Sequence, residues 1–71
     1  MKINLLKIHP TCLTFEIEGH IILLKFGSSF PLSIILTIDG SADFRCSPED
    51  ATYILEHLED ETIQFMVQMS L

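Results

Sequence analysis

Seventy-one residues suffice for one small domain, 1–71, but not for a large self-sufficient core. Ten carboxylates against four Lys and Arg give a net charge of −6, which argues against direct nucleic-acid binding. Hydrophobic residues make up 48% of the chain and mean hydropathy is +0.40, so a partner subunit is the expected staple.

The N-terminal residues start like a signal peptide, but Lys7, His9 and Pro10 interrupt the apolar stretch early. The longest uncharged run, Phe26 to Ile38, is too short to span a bilayer and contains Gly27 and Pro31. The expectation is a cytoplasmic protein with no membrane partner. Two cysteines, Cys12 and Cys46, are too few for a disulfide scaffold and read as reduced thiols.

Ile3 to Ile8 reads as a first strand, closed by His9-Pro10-Thr11. In Cys12 to Glu18, Leu13, Phe15 and Ile17 alternate with Thr14, Glu16 and Glu18, the period of a half-buried strand. Glu18-Gly19 is a turn, and His20 to Phe26 returns. A two-residue loop sets Ile17 opposite His20, Phe15 opposite Ile22 and Leu13 opposite Leu24, with the apolar residues on one face. Gly27 to Pro31 is a loop, Leu32 to Ile38 a strand, and Asp39-Gly40 a turn leading to Ala42 to Cys46. A three-residue loop there aligns Ile34 with Cys46 and Leu36 with Phe44.

Ser47-Pro48-Glu49-Asp50 is a helix start. Ser47 caps, Pro48 suits the first helical position, and two carboxylates face the favourable end of the dipole. The helix is expected to run to about Glu59, with Ala51, Ile54, Leu55 and Leu58 on one side and Glu49, Tyr53, Glu56 and Asp60 on the other. From Ile63 to Met69, apolar residues recur at every second position, and continuing the helix would put Ile63 and Val67 on its acidic face. A final strand is expected. The fold class is α+β: a small antiparallel β-sheet, order β-β-β-β-β-α-β, with one amphipathic helix packed on one face.

The strands His20–Phe26 and Leu32–Ile38 are apolar on both sides. One short helix covers one face, so the Phe30 loop or a second subunit must cover Ile21, Leu23 and Ile35. A homodimer interface through these three residues, or through a sheet edge, is the expectation.

Candidate chemistry is sparse. His9-x-x-Cys12 has the spacing of half a metal site, and His20, His57 and Cys46 form no second close pair, so no metal is expected. Ser28, Ser29, Cys12 and Cys46 lie in no nucleophile motif, and Gly19, Gly27 and Gly40 form no phosphate loop. No cofactor and no enzymatic activity are expected.

Charge is the informative feature. Residues 1–38 carry three Lys and two Glu, a net of +1, and residues 39–71 carry Arg45 against eight carboxylates, a net of −7. Between Glu49 and Glu61 there are six carboxylates and no Lys or Arg. No i,i+4 cation offsets their repulsion, and several fall near the expected helix C-terminus, where the dipole disfavours anions. Glu49, Tyr53, Glu56, Glu59 and Asp60 therefore read as a surface for a basic, Arg/Lys-rich protein partner, with carboxylate spacings that partly mimic a nucleic-acid strand. The expected function is a small acidic inhibitor of a nucleic-acid-handling protein, of the size and charge of phage anti-defence proteins and antitoxins. The alternative is a structural or assembly subunit acting through its apolar sheet face. Charge reversal at Glu56 and Asp60 is expected to abolish binding and leave the fold intact.

Overall fold

The computed structural model describes residues 2–28 and 31–69. Ser29 and the Phe30 loop, weighed above as a nucleophile and as a cover for the sheet, lie in part outside the described residues. Five strands form one antiparallel meander, each hydrogen-bonded to the next in chain order: β1 (Ile3–Ile8), β2 (Cys12–Ile17), β3 (His20–Phe26), β4 (Ile34–Ile38) and β5 (Phe44–Cys46). Two helices follow, α1 (Pro48–Glu56) and α2 (Glu61–Met69). The fold is α+β.

The hairpin registers follow from the turns. Glu18 and Gly19 both have positive φ, 50° and 85°, as the tight two-residue turn requires. Ile17 accordingly faces His20, Phe15 faces Ile22 and Leu13 faces Leu24. At the next turn Asp39 and Gly40 take the left-handed conformation, and a three-residue loop aligns Ile34 with Cys46 and Leu36 with Phe44. The β1–β2 pair carries a bulge between Leu5 and Lys7. The extra residue there lets Ile3, Leu5 and Ile8 all share the sheet face of Ile17, Phe15 and Leu13.

That face holds the core. Phe15 and Ile17 from β2, Ile22 from β3, and Ile34 and Leu36 from β4 are buried against Ala51, Ile54, Leu58 and Val67. The row Ile17, Ile22, Leu36 is almost wholly removed from water. β1 contributes nothing to this core, and all six of its residues are exposed.

α1 begins as its sequence requires. The Ser47 Oγ accepts the Asp50 N–H at 3.1 Å, and Pro48 opens the first turn. It ends at Glu56, short of the expected Glu59, because the backbone breaks at His57, whose N–H turns back to the Ile54 carbonyl.

The expected final strand is a helix. Asp60 Oδ1 accepts the N–H groups of Thr62 at 2.8 Å and Ile63 at 3.3 Å, and the Asp60 carbonyl accepts the Gln64 N–H at 3.0 Å. Asp60 is thus an N-cap, and Gln64 Nε2 donates to the Leu58 carbonyl, tying the new helix to the end of the old one. Ile63 and Val67 would indeed have met the acidic face had α1 continued. The break at 57–60 reorients the chain instead, so Val67 is buried, Ile63 packs against the core, and Phe65 and Met69 face water.

Candidate functional site

Charge is distributed unevenly between the faces. The register of β3, β4 and β5 puts Lys25 beside Ile35 and Ile35 beside Arg45, and Lys7 follows Thr14 and Leu23 across the same open face. Lys2 stands at its rim in a shallow concavity with Glu16 and Glu18. The expected interface residues Ile21, Leu23 and Ile35 do share this face, and only Ile21 is largely exposed. They form an aliphatic patch bordered by Lys7, Lys25 and Arg45 and, beside Ile21, by Glu16, so the second face is less apolar than the strand sequences suggest.

The helical side is acidic. Glu49, Tyr53 and Glu56 lie exposed along α1, and the 49–61 stretch contains no Lys or Arg. The Tyr53 ring stacks on the His57 imidazole with centroids 4.0 Å apart, and His57 Nδ1 is 2.8 Å from the Tyr53 carbonyl oxygen. The stack gives the acidic face a flat aromatic plate held by two independent contacts.

The end of α1 alters the reading of the remaining acids. Glu49 and Asp50 occupy the first turn of α1, and Glu61 the first turn of α2, where the helix dipole favours them. Asp60 is a cap. Glu59 reaches back to the sheet. Only Glu56 sits at a helix C-terminus, against the dipole. Repulsion along one long acidic helix, inferred from the sequence, is therefore mostly relieved by local partners. Of the five candidate residues, the structure brings Glu49, Tyr53 and Glu56 onto one helix surface and puts Glu59 and Asp60 in the following turn. Reversal at Asp60 is no longer a silent change, because it removes the cap.

A second constellation was not legible in the sequence. His20 Nδ1 lies 2.8 Å from Asp39 Oδ2, and its Nε2 lies 3.3 Å from Glu59 Oε1. Asp39 Oδ1 also accepts the Ile21 N–H at 2.8 Å. The hydrogen bond that His20 donates to Asp39 raises the His20 pKa above its ordinary value; partial burial opposes this and Glu59 adds to it. The same bond, helped by the Ile21 N–H, lowers the Asp39 pKa. The two carboxylates come from residues 19 and 39 positions away from His20, so no local spacing announced them. His20 and Asp39 of this trio line a groove of about 420 Å³ between the β4–β5 turn and α2.

Both His20 nitrogens face carboxylates, which suits an imidazolium donating two hydrogen bonds. The trio therefore fastens the α1–α2 turn to the sheet and leaves no ring nitrogen to take a proton from a substrate. Ser41, on the same groove, is also engaged: its Oγ accepts the Ile38 N–H and donates to the Ala42 carbonyl, both at 3.0 Å.

Cys12 pairs with Lys25 on the open face, and Cys46, on β5, pairs with Ile34 on the helical side, with two strands between β5 and β2. Opposite faces and that separation keep the thiols apart. Burial, with Asp50 nearby, pushes the Cys46 thiol up. His9 and Cys12 flank a turn, the His9 N–H donating to the Cys12 carbonyl at 2.9 Å. Among the described residues no three His, Cys, Asp or Glu side chains gather as a metal-binding set. Among the same residues no helix is long and apolar enough to cross a membrane. Comparison with known proteins finds no matching family model and no significant match among curated proteins or solved structures.

Proposed function

We propose that this protein is a non-enzymatic binding protein that presents the acidic face of α1 to a basic protein surface. The observation that carries the reading is the exposed Tyr53 ring, stacked on a half-buried His57 beside Glu49 and Glu56, on a side of the molecule without Lys or Arg. A flat aromatic plate ringed by one sign of charge suits recognition of Arg side chains, which stack on rings and pair with carboxylates. Nucleic-acid-handling proteins are the main holders of such basic surfaces, so the reading extends to an inhibitor of the anti-defence or antitoxin kind, acting as a partial nucleic-acid mimic.

The test is capture of partners by the unmodified protein and by a Tyr53→Ala/Glu56→Lys variant. Neither position is buried, and Lys at a helix C-terminus suits the dipole, so the variant should fold. A basic protein captured at low salt, released at high salt or by added nucleic acid, and missed by the variant supports the reading. Capture that the variant retains, or that salt leaves untouched, removes it.

A second reading is an assembly subunit acting through apolar surface. It is favoured by Ile3, Leu5, Leu6 and Ile8, each at least half exposed along one edge strand.

A further inference from the structure

We propose that the β1 edge docks a second copy of this chain, antiparallel, to make one continuous ten-stranded sheet. The two edges of the sheet differ. β5 is three residues long with Arg45 at its centre, which is how natural edges are guarded. β1 is twice as long, carries Lys7 alone, and leaves Ile3, Leu5, Leu6 and Ile8 between 50% and 68% exposed. Its outer row of backbone donors and acceptors has no neighbouring strand among the described residues. A strand addition would satisfy those groups and cover the aliphatic side chains together.

The segment complements itself. A two-fold axis between Leu5 and Leu6 sets Ile3 opposite Ile8 of the second copy, Leu5 opposite Leu6, and Asn4 opposite Lys7. Ile3 and Ile8 already share the helical side of the sheet, while Asn4 and Lys7 share the open side, so these two pairs each meet on their own face, with the bulged Leu6 beside Leu5 at the centre. No two Lys side chains stand directly opposite.

The charge distribution selects a second copy in this arrangement over one stacked on the open face. Residues 1–15 contain no carboxylate. The acidic helix α1 packs on β4, three strands from the seam. At about 4.8 Å per strand the two acidic helices would lie roughly 30 Å apart, several Debye lengths at physiological salt. Stacking through Ile21, Leu23 and Ile35 would instead bring Lys25 and Arg45 of both copies together.

Sedimentation equilibrium and amide hydrogen exchange on the unmodified protein, across micromolar concentrations, test the proposal. The expected result is a monomer–dimer equilibrium in which outward-facing β1 amides exchange more slowly as concentration rises and β5 amides do not change. A Leu5→Lys/Ile8→Lys variant should be monomeric with an unchanged circular dichroism spectrum, and a Leu23→Lys/Ile35→Lys variant should still dimerise. A strict monomer, a larger assembly, or β1 amides indifferent to concentration overturns it. So does a dimer that survives the β1 variant or is lost only in the open-face variant. Should the β1 variant not fold, exchange on the unmodified chain still decides.

Discussion

β1 and β3 are near-copies in sequence and opposites in environment. Ile3-Asn4-Leu5-Leu6-Lys7-Ile8 and Ile21-Ile22-Leu23-Leu24-Lys25-Phe26 agree at four of six positions. Yet β3 lies in the middle of the sheet with Ile22 fully buried, while every residue of β1 is exposed. The faces differ as well. Leu23 points to the open side, whereas its counterpart Leu5 shares the helical side with Phe15. The bulge at Leu6 then restores the phase, so Lys7 and Lys25 both face the open side. Apolar content does not determine burial here. The number of neighbouring strands, and whether a helix lies above, decides it.

Truncation should break this comparison most sharply. Ile22→Ala removes a fully enclosed side chain from between β2 and β4 and should cost about 2–5 kcal/mol. Leu5→Ala, at concentrations where the chain is monomeric, should cost no more than about 0.5 kcal/mol, as exposed positions do. Urea unfolding of both variants gives the two numbers. Equal losses would mean that β1 is covered in the monomer.

The turn between the helices is the next most sensitive point. Asp60→Ala removes the acceptor for two N–H groups and should destabilise by about 0.5–2 kcal/mol, with loss of helical signal from α2. Asp60→Asn should recover most of that. Glu56→Lys, four residues earlier and without such a role, should be neutral or slightly stabilising in the same melts. If Asp60→Ala is equally silent, the cap does not hold α2.

The smallest effect concerns pH. The His20 pKa is raised, so its contribution is full below its ordinary value of 6.5 and fades as pH rises through the raised value. The Asp39 pKa is lowered, so its contribution is present above 3.8 and fades as pH falls through the lowered value. Stability from this trio should therefore be greatest between about pH 4 and 6.5. Asp39 and Glu59 are half exposed or more, so the effect should stay within the 0–1 kcal/mol or so typical of surface pairs. Melts of His20→Asn should lose the decline on the alkaline side. An unchanged profile would place the pH dependence elsewhere.

Much of the fold was legible because its signals are local. Glu18-Gly19 and the Asp39–Ser41 loop set their hairpin registers through backbone conformations that few residues adopt. Ser47-Pro48 marked the start of α1 for the same reason, a capping hydroxyl and a ring that fits only the first turn. Ala51, Ile54 and Leu58 fell on the buried side as their spacing required.

The candidate site was only half legible. Glu49, Tyr53 and Glu56 follow from helical spacing alone, but the roles of Glu59 and Asp60 depend on where α1 stops and on His20 across the sheet. Ile63, Phe65, Val67 and Met69 satisfy a two-residue period, while Ile63 and Val67 also satisfy a helical one. Periodicity alone cannot separate the two.

The sequence by itself determined the α+β class, two of the antiparallel hairpins, the first helix and the lopsided charge. These rest on turn residues, caps and composition, which act over a few positions. Tertiary structure alone decided that the last segment is a helix, that β1 is bare, that the four cations gather on the open face or its rim, and that His20 joins Asp39 to Glu59. Each of those depends on which surfaces are still uncovered once the sheet has formed, and that is a property of neighbours distant in the chain.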